Sequence, residues 1–177
     1  MSELYDRIVS ERGSFERLVA RLPGFKGYVD NKARRSADRL LRDHIADQLS
    51  QRVARLVRIE KVLLDNGGLS FMTKTQSAKT KLQLYRDRVA AAVPGYSGFF
   101  AAIKIGAEEM EKLYSFDEAQ VRYLDQFDTA LTGLESAVNA KDGIAEAISA
   151  LDQVTVEAND AFSLREDVLT GLDKSLS

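Results

Sequence analysis

The sequence predicts an all-α fold, an up-and-down antiparallel bundle of about five long helices in one domain spanning residues 1–177. Three observations lead to this prediction. Apolar residues recur at helical spacing through long stretches that contain no proline. The period-two alternation that a β-strand needs is missing, apart from the very short Val154-Thr155-Val156. Only two prolines and a few glycine-containing turns divide the chain, and they cut it into helix-length segments.

The first half of the chain is predicted to contain three helices. The first covers residues 3–22 as a single helix with a soft interruption at Gly13. The second covers residues 30–65, which contain neither proline nor glycine and would extend about 50 Å at 1.5 Å per residue. Asn66-Gly67-Gly68 ends it, because Asn and Gly accept the left-handed conformation that closes helix C termini. The third helix follows, with Ser70 as its N-cap, and runs to about residue 93.

The second half is predicted to contain one interrupted helical region and one long final helix. The fourth region spans residues 100–140, and its irregularity is expected at Gly106 or around Ser115 and Glu118, which have capping-box spacing. A turn at Lys141-Asp142-Gly143 separates it from the last helix, residues 144–172. Short turns between long helices favour antiparallel neighbours, so a bundle is expected.

Two similar sextets indicate an internal duplication of a helix, a Pro-Gly turn and a second helix. Pro23-Gly24-Phe25-Lys26-Gly27-Tyr28 and Pro94-Gly95-Tyr96-Ser97-Gly98-Phe99 contain the two prolines and are offset by 71 positions. Proline fixes φ and lacks a donor, and glycine tolerates positive φ, so each sextet should end a helix and turn the chain. The predicted units are residues 1–68 and 69–143, followed by the final helix. Both Pro-Gly turns are expected at one end of the bundle, here called the proline-turn end.

The charges of the chain are segregated by sequence position. Residues 1–106 contain 20 Lys and Arg against 11 Asp and Glu, whereas residues 107–177 contain 5 against 16. The basic part can therefore pair with the acidic part, within one chain or between copies. Nucleic acid is the least favoured partner, because the chain is acidic overall and shows no recognisable nucleic-acid-binding module.

The proline-turn end holds the candidate partner-binding residues. Aromatic and cationic side chains are expected to gather there, a combination that suits docking of a protein partner. The alternative is that the rings cap the core beneath the turns. The candidates are Phe25, Lys26, Tyr28, Arg34, Arg35, Tyr96, Phe99, Phe100 and Lys104.

Catalytic, cofactor and metal sites are not predicted. The chain has no cysteine, so thiol nucleophiles, disulfides and thiolate metal sites are excluded. Its single histidine, His44, cannot supply the two Glu-x-x-His motifs of a di-iron bundle. No phosphate-binding glycine loop is present. An enzyme or a metal-binding bundle is therefore the least favoured class.

The leading hypothesis is a non-enzymatic helical adaptor or scaffold that self-associates or binds a protein partner through the proline-turn end. The alternative is a peripheral membrane protein, whose apolar Phe99-Phe100 tip enters the lipid while four cations, Lys26, Lys32, Arg34 and Arg35, meet anionic headgroups. The N-terminus shows no signal peptide and no apolar run approaches about 18 residues, so a cytoplasmic protein is expected.

Overall fold

The structure, a computed structural model, describes residues 2–91, 100 and 104–174. Within these ranges it is helical and contains no strand, which confirms the predicted all-α helical bundle. A short 3-10 turn, Leu69–Phe71, precedes the fourth helix. The helices are α1 (Glu3–Val9), α2 (Ser14–Arg21), α3 (Arg34–Asp65), α4 (Met72–Ala90), α5 (Ala107–Ala140) and α6 (Ile144–Lys174).

Helices α3 to α6 form a four-helix bundle in which the chain alternates in direction. Consecutive α3 and α4 are antiparallel neighbours, and so are α5 and α6. Helix α3 also lies beside α5 in the same direction, with Arg52 2.7 Å from Asp128. Helix α4 likewise runs parallel to α6, with Lys81 3.2 Å from Asp152. As a result, α4 and α5 face each other across the bundle diagonal.

Helices α1 and α2 cover the outer side of α5, which is therefore surrounded by other helices. Residues 113–121 of α5 are all buried as a result. The single helix predicted over residues 3–22 was wrong. Gly13 takes a left-handed φ of 69° and separates α1 from α2, so that both Ile8 and Leu18 reach the core.

The other predicted boundaries differ in a few places. Gly106 is extended and α5 begins directly after it, so the first expected position of the irregularity is correct. Ser115 and Glu118 lie inside α5, and the predicted capping box was wrong because Ser115 instead donates to the Glu111 carbonyl one turn back. Ser70 lies in the 3-10 turn and does not cap α4.

The turn after α3 forms as the sequence predicts. Gly67 has a φ of 81°, and the Gly68 amide donates to the Leu63 carbonyl at 2.8 Å, which closes the end of α3. The second sextet, residues 94–99, lies outside the described residues, so the internal duplication and the meeting of its two turns stay predictions.

Ion pairs join the basic and acidic parts of the chain, which confirms the expected pairing within one molecule. Nine pairs among the described residues link a cation before position 107 to an acid after it. Most involve partly exposed side chains and are worth about 0.2–1 kcal/mol each. Their contribution to the free energy of unfolding is therefore small, and their main effect is to favour one register of the helices. No helix of the described chain combines the length and the apolar character needed to cross a bilayer.

Candidate functional site: a cleft at the proline-turn end

A cleft with a volume of about 890 Å³ lies at the proline-turn end. Three segments form its walls: the turn into α2, the loop between α2 and α3, and the beginning of α5. Its lining is mostly apolar, with two cations and two acids among the polar groups. The lining residues are Gly13, Ser14, Phe15, Glu16, Val29, Asn31, Arg34, Lys104, Ile105, Ala107, Met110, Glu111 and Tyr114.

The first Pro-Gly sextet shapes the floor of the cleft. Gly24 and Gly27 have φ angles of 82° and 84°, which L side chains rarely adopt. A Cβ at Gly27 would lie 2.5 Å from the Tyr114 hydroxyl oxygen and 2.9 Å from the Phe15 ring. The missing side chain thus lets the backbone approach the cleft-lining rings, and the Tyr28 amide donates to the Tyr114 hydroxyl at 2.9 Å.

Four aromatic rings form a cluster at the floor of the cleft and directly beneath it. Tyr114 lies at their centre, with its ring centroid 4.8 Å from that of Phe15 and 5.5 Å from that of Tyr28, almost parallel to the latter. Phe25 meets Tyr28 edge to face at 5.5 Å. Such contacts add about 0.5–1.5 kcal/mol per pair beyond the burial of area.

Phe25 and Tyr28 are therefore core residues. Their exposed fractions are 3% and 0%, so their rings form no docking surface in this structure, and the alternative interpretation, rings that cap the core, is the correct one for these two positions. Burial of these two large rings removes apolar surface from water, so it is more favourable than exposure of the rings at a turn. Their part in the site is to support the floor of the cleft.

A buried ionic cluster lies directly behind Tyr28. The Tyr28 hydroxyl donates to Asp117 at 2.6 Å, and Arg165 donates to Asp117 at 2.5 Å and to Asp38 at 2.7 Å. Arg42 donates to the second oxygen of Asp38 at 2.8 Å. All five side chains are nearly or completely buried, and they join α3, α5, α6 and the loop after α2.

The two carboxyls of this cluster have opposite pKa shifts. Burial raises the pKa of Asp117, and the attraction of its one guanidinium partner, Arg165, does not offset that effect. Burial also opposes ionisation of Asp38, but Arg165 and Arg42 together lower its pKa below the usual value. Burial raises the pKa of Tyr28 well above its usual value, so its hydroxyl stays protonated and acts as a donor to Asp117.

Arg42 links the cluster to the backbone at the end of α4, and Arg165 has one donor without a partner. Arg42 donates to the carbonyls of Ala91 and Ala90 at 2.7 and 3.3 Å, which caps the C-terminal end of α4. Nη1 of Arg165 is buried without a hydrogen-bond partner. The cluster thus fixes the positions of Tyr28, and through it Tyr114, at the price of one unsatisfied donor.

In comparisons with protein-family models, curated proteins and solved structures, nothing matches this chain. The functional interpretation therefore rests on the geometry of the cleft.

The remaining predicted site residues fall into three groups. Arg34 is buried, lines the cleft and donates to the Tyr28 carbonyl at 2.7 Å, so it forms part of a wall and not of an exposed surface. Lys26, Arg35 and Lys104 are exposed, and Lys104 lines the mouth of the cleft. The Arg35 guanidinium lies 4.4 Å from the centroid of the half-buried Phe100 ring. Tyr96 and Phe99 lie outside the described residues.

Sequence reasoning missed the buried ionic cluster behind the cleft. Asp38, Asp117 and Arg165 were not among the predicted site residues, although each occupies a core-facing position of its helix. In α6, Arg165 follows Ala158 and Phe162 at helical spacing, in the middle of the apolar stripe. A charge at a core position was the signal, because such a residue needs an opposite charge at a core position elsewhere.

The lining of the cleft suits a ligand that has both apolar and charged groups. Its apolar floor, formed by Phe15, Met110 and Tyr114, is bordered by charged groups of both signs. Burial raises the pKa of Tyr114, so its hydroxyl stays neutral at the floor. His44 does not line the cleft, and no cluster of three or more metal-ligating side chains exists in the described part of the chain.

Proposed function

We propose that the protein is a non-enzymatic helical adaptor or scaffold that binds a segment of a protein partner in the cleft at the proline-turn end. The observation that carries this proposal is the cleft itself. It has a volume of about 890 Å³ and a mostly apolar lining, and the exposed Lys104 lies at its mouth. A cavity of that size accommodates a few side chains of a peptide. We further propose that the protein is cytoplasmic.

The lining favours a partner segment of particular chemistry. An apolar side chain fits between Phe15, Met110 and Tyr114, which form the floor. An acidic group beside it would meet Lys104 at the mouth of the cleft. The buried Arg34 donates to the Tyr28 carbonyl and so holds the neighbouring wall in place.

Selection from a phage-displayed library of random twelve-residue peptides tests this proposal. The native protein is expected to enrich peptides in which an acidic residue lies next to an apolar one. Ala107→Trp, at an exposed lining position, fills the cleft without entering the core and should abolish the enrichment. Lys104→Glu should change the preferred flanking charge from acidic to basic. Val57→Asp, at an exposed position of α3 that does not line the cleft, is the matched control.

Two results would contradict the proposal. One is a native protein that enriches no peptide above background. The other is an enriched set that Ala107→Trp binds as well as the native protein does, while circular dichroism shows both to be folded.

Docking of an anionic membrane surface is the second candidate, favoured by one observation at the same end. Val29 is 78% exposed and lies between the exposed Lys26 and Lys32, with Arg35 nearby on α3. An exposed apolar side chain among cations suits an interface with anionic lipid. Co-sedimentation with phosphatidylserine vesicles should then fall with salt and with the double substitution Lys26→Glu/Lys32→Glu. Binding that is absent at low salt, or equal in the double variant, removes this candidate.

A further inference from the structure

A second surface lies along the seam between α4 and α6, on a different side of the bundle from the cleft. Three cavities follow one another there. The first, about 710 Å³, lies between residues 73–77 and 145–153. The second, about 330 Å³, lies between residues 81–88 and 155–159. A third, about 360 Å³, borders residues 149–160 of α6. From residue 73 to residue 88 the seam is roughly 22 Å long at 1.5 Å per residue.

Helix α4 has two stripes with the same 3-4-3-4 spacing. The core stripe is fully buried, whereas the second stripe lines the seam. The seam stripe lies one residue before the core stripe at every step, so it borders the buried face of α4, and its one large apolar member is Leu84. The core stripe is Thr75, Ala78, Leu82, Tyr85 and Val89, and the seam stripe is Lys74, Ser77, Lys81, Leu84 and Arg88.

Helix α6 presents a matching stripe on the other side of the seam. Its members recur at 4-3-4-3 spacing and all line the seam cavities. They are Ala145, Ser149, Asp152, Val156 and Asn159. Each wall of the seam is therefore a continuous strip along one face of its helix.

Two large apolar side chains lie exposed at the same level of the seam. Leu84 is 64% exposed on α4 and Val156 is 54% exposed on α6, and both border the 330 Å³ cavity. Burial of an exposed Leu or Val side chain against a partner is favourable, because it removes apolar surface from water. A partner that covers both residues would gain this contribution at one point of the seam.

The two walls have opposite charge. The α4 wall carries Lys74, Lys81 and Arg88, and the α6 wall carries Asp152, with Glu146 beside it. Lys81 pairs with Asp152 and Arg88 with Glu166 within the chain, whereas Lys74 and Glu146 make no ion pair within 4.0 Å in the part of the chain that the structure describes. A surface with a basic and an acidic half is complementary to itself, which is the property that an isologous dimer interface requires.

The orientation of such a dimer follows from the charges. A two-fold axis parallel to the helices places α4 of each copy against α6 of the other and keeps every residue at its own level. Leu84 then meets Val156 of the partner, and Lys74 meets Glu146. A two-fold axis perpendicular to the helices would instead place α4 against α4 and oppose three cations to three cations.

We propose that the α4–α6 seam is the interface of a homodimer, in which Leu84 and Val156 form the apolar centre and Lys74 pairs with Glu146 of the second copy. The two copies are related by a two-fold axis parallel to the helices. This surface is independent of the cleft, so each of the two proposals can fail without the other.

Sedimentation equilibrium of the purified protein between about 1 and 500 μM tests the dimer. The native protein is expected to change from monomer to dimer within this range. Leu84→Asp should raise the dimer Kd at least about tenfold, since each substitution acts twice in a symmetric interface. Val19→Asp, at a 45% exposed position of α2, which packs against α5 and not against the seam, is the control and should leave the Kd unchanged.

Charge reversal tests the orientation. Lys74→Glu and Glu146→Lys should each raise the Kd by roughly three- to tenfold, because two exposed pairs are lost in each case. The double variant Lys74→Glu/Glu146→Lys should recover affinity close to that of the native protein. Thermal melts monitored by circular dichroism show whether each variant is folded. A native protein that stays monomeric at every concentration, a dimer that Leu84→Asp leaves intact, or a double variant no better than either single one would overturn the proposal.

Discussion

The two ends of the bundle are held together by different kinds of interaction. At the proline-turn end, Tyr28, Asp38, Asp117 and Arg165 form hydrogen bonds and ion pairs in the interior. At the opposite end, the end of the Asn66-Gly67-Gly68 turn, the buried acid Glu60 pairs with the partly exposed Lys79 at 3.0 Å. The rest of the interior there is mostly aliphatic and includes Leu56, Ile59, Leu63, Leu131, Leu134, Val138, Ile144 and Ile148.

The difference teaches how this bundle combines stability with a defined site. Aliphatic packing is favourable in many arrangements and tolerates small shifts of the helices. A buried ionic cluster is costly in every arrangement except the one that pairs its charges. The cluster stands directly behind Tyr28, whose amide positions Tyr114, so the geometrically demanding interactions are found where the cleft needs precise walls.

The largest expected loss of stability follows from disrupting the ionic cluster at the proline-turn end. Arg165→Met removes the cation that lies between Asp38 and Asp117 and leaves the two buried acids with Arg42 alone. We expect the free energy of unfolding to fall by about 3–5 kcal/mol in urea denaturation. Arg21→Met, which removes an exposed pair with Asp125, should cost only about 0.2–1 kcal/mol. Equal losses in the two variants would show that the buried cluster has no special role.

The next effect concerns the aliphatic end. Leu134→Ala removes a fully buried side chain and should lower the free energy of unfolding by about 3 kcal/mol, within the usual range for Leu→Ala in a core. Because the cavity forms far from the cluster, the amide resonances of Tyr28 and Tyr114 should keep their chemical shifts in NMR spectra. Large shifts at these two residues would mean that the two ends are coupled.

A smaller effect separates backbone strain from contact at the cleft. Gly27→Ala places a methyl group 2.5 Å from the Tyr114 hydroxyl oxygen at a φ of 84°, and should cost about 2–3 kcal/mol. Gly143→Ala has a similar φ of 71° with nothing within 4 Å, and should cost about 1 kcal/mol from strain alone. Thermal denaturation of both variants gives the comparison. A Gly143→Ala loss as large as that of Gly27→Ala would assign the whole effect to strain.

The smallest expected effect is a change in the pH dependence of stability. Asp38 has a folded pKa below its unfolded value, so its contribution is present above about pH 4 and is lost as pH falls through the folded pKa. Asp117 has a raised folded pKa, so its contribution is present below about pH 4 and is lost as pH rises through the folded pKa.

Neutral substitutions at the two acids should therefore change the acid limb in opposite directions. Urea denaturation between pH 3 and pH 6 should show a shallower loss of stability on acidification in Asp38→Asn and a steeper one in Asp117→Asn. Each change is limited to about 1.4 kcal/mol per pH unit, the value for one proton. The same slope in both variants would mean that the two carboxyls titrate alike.

The helices could be predicted from the sequence because their stripes and turns are local signals. The end of α3 at Asn66 and the start of α5 after Gly106 follow from backbone preferences of a few residues. The break at Gly13 was underestimated, because one glycine inside a helical pattern is compatible with either a kink or a full separation. The parallel pairing of α3 with α5 depends on contacts between distant residues, and nothing local encodes it.

The candidate site was predictable only in part, for the same reason. The Pro-Gly turn and the cations Arg34 and Lys104 pointed to the end of the molecule where the cleft lies. Tyr114 and Met110 appeared as ordinary members of an apolar stripe, because their position at a cleft arises only when α2 packs across α5. The exposure of Phe25 and Tyr28 was also undetermined, since an aromatic ring at a turn can face either way.

Helices α1 and α2 shield a helix that has no solvent-facing side along residues 113–121. Tyr5 of α1 lies with its ring centroid 5.6 Å from that of Phe116, and Leu18 of α2 is fully buried. Removal of the first 22 residues would therefore expose the Phe116 ring and, beside it, the buried Ser115 and Glu118, which contact Ser14 and Arg17 of α2. A shortened chain that begins at Pro23 should precipitate or recruit chaperones on expression, even though its four long helices are all intact.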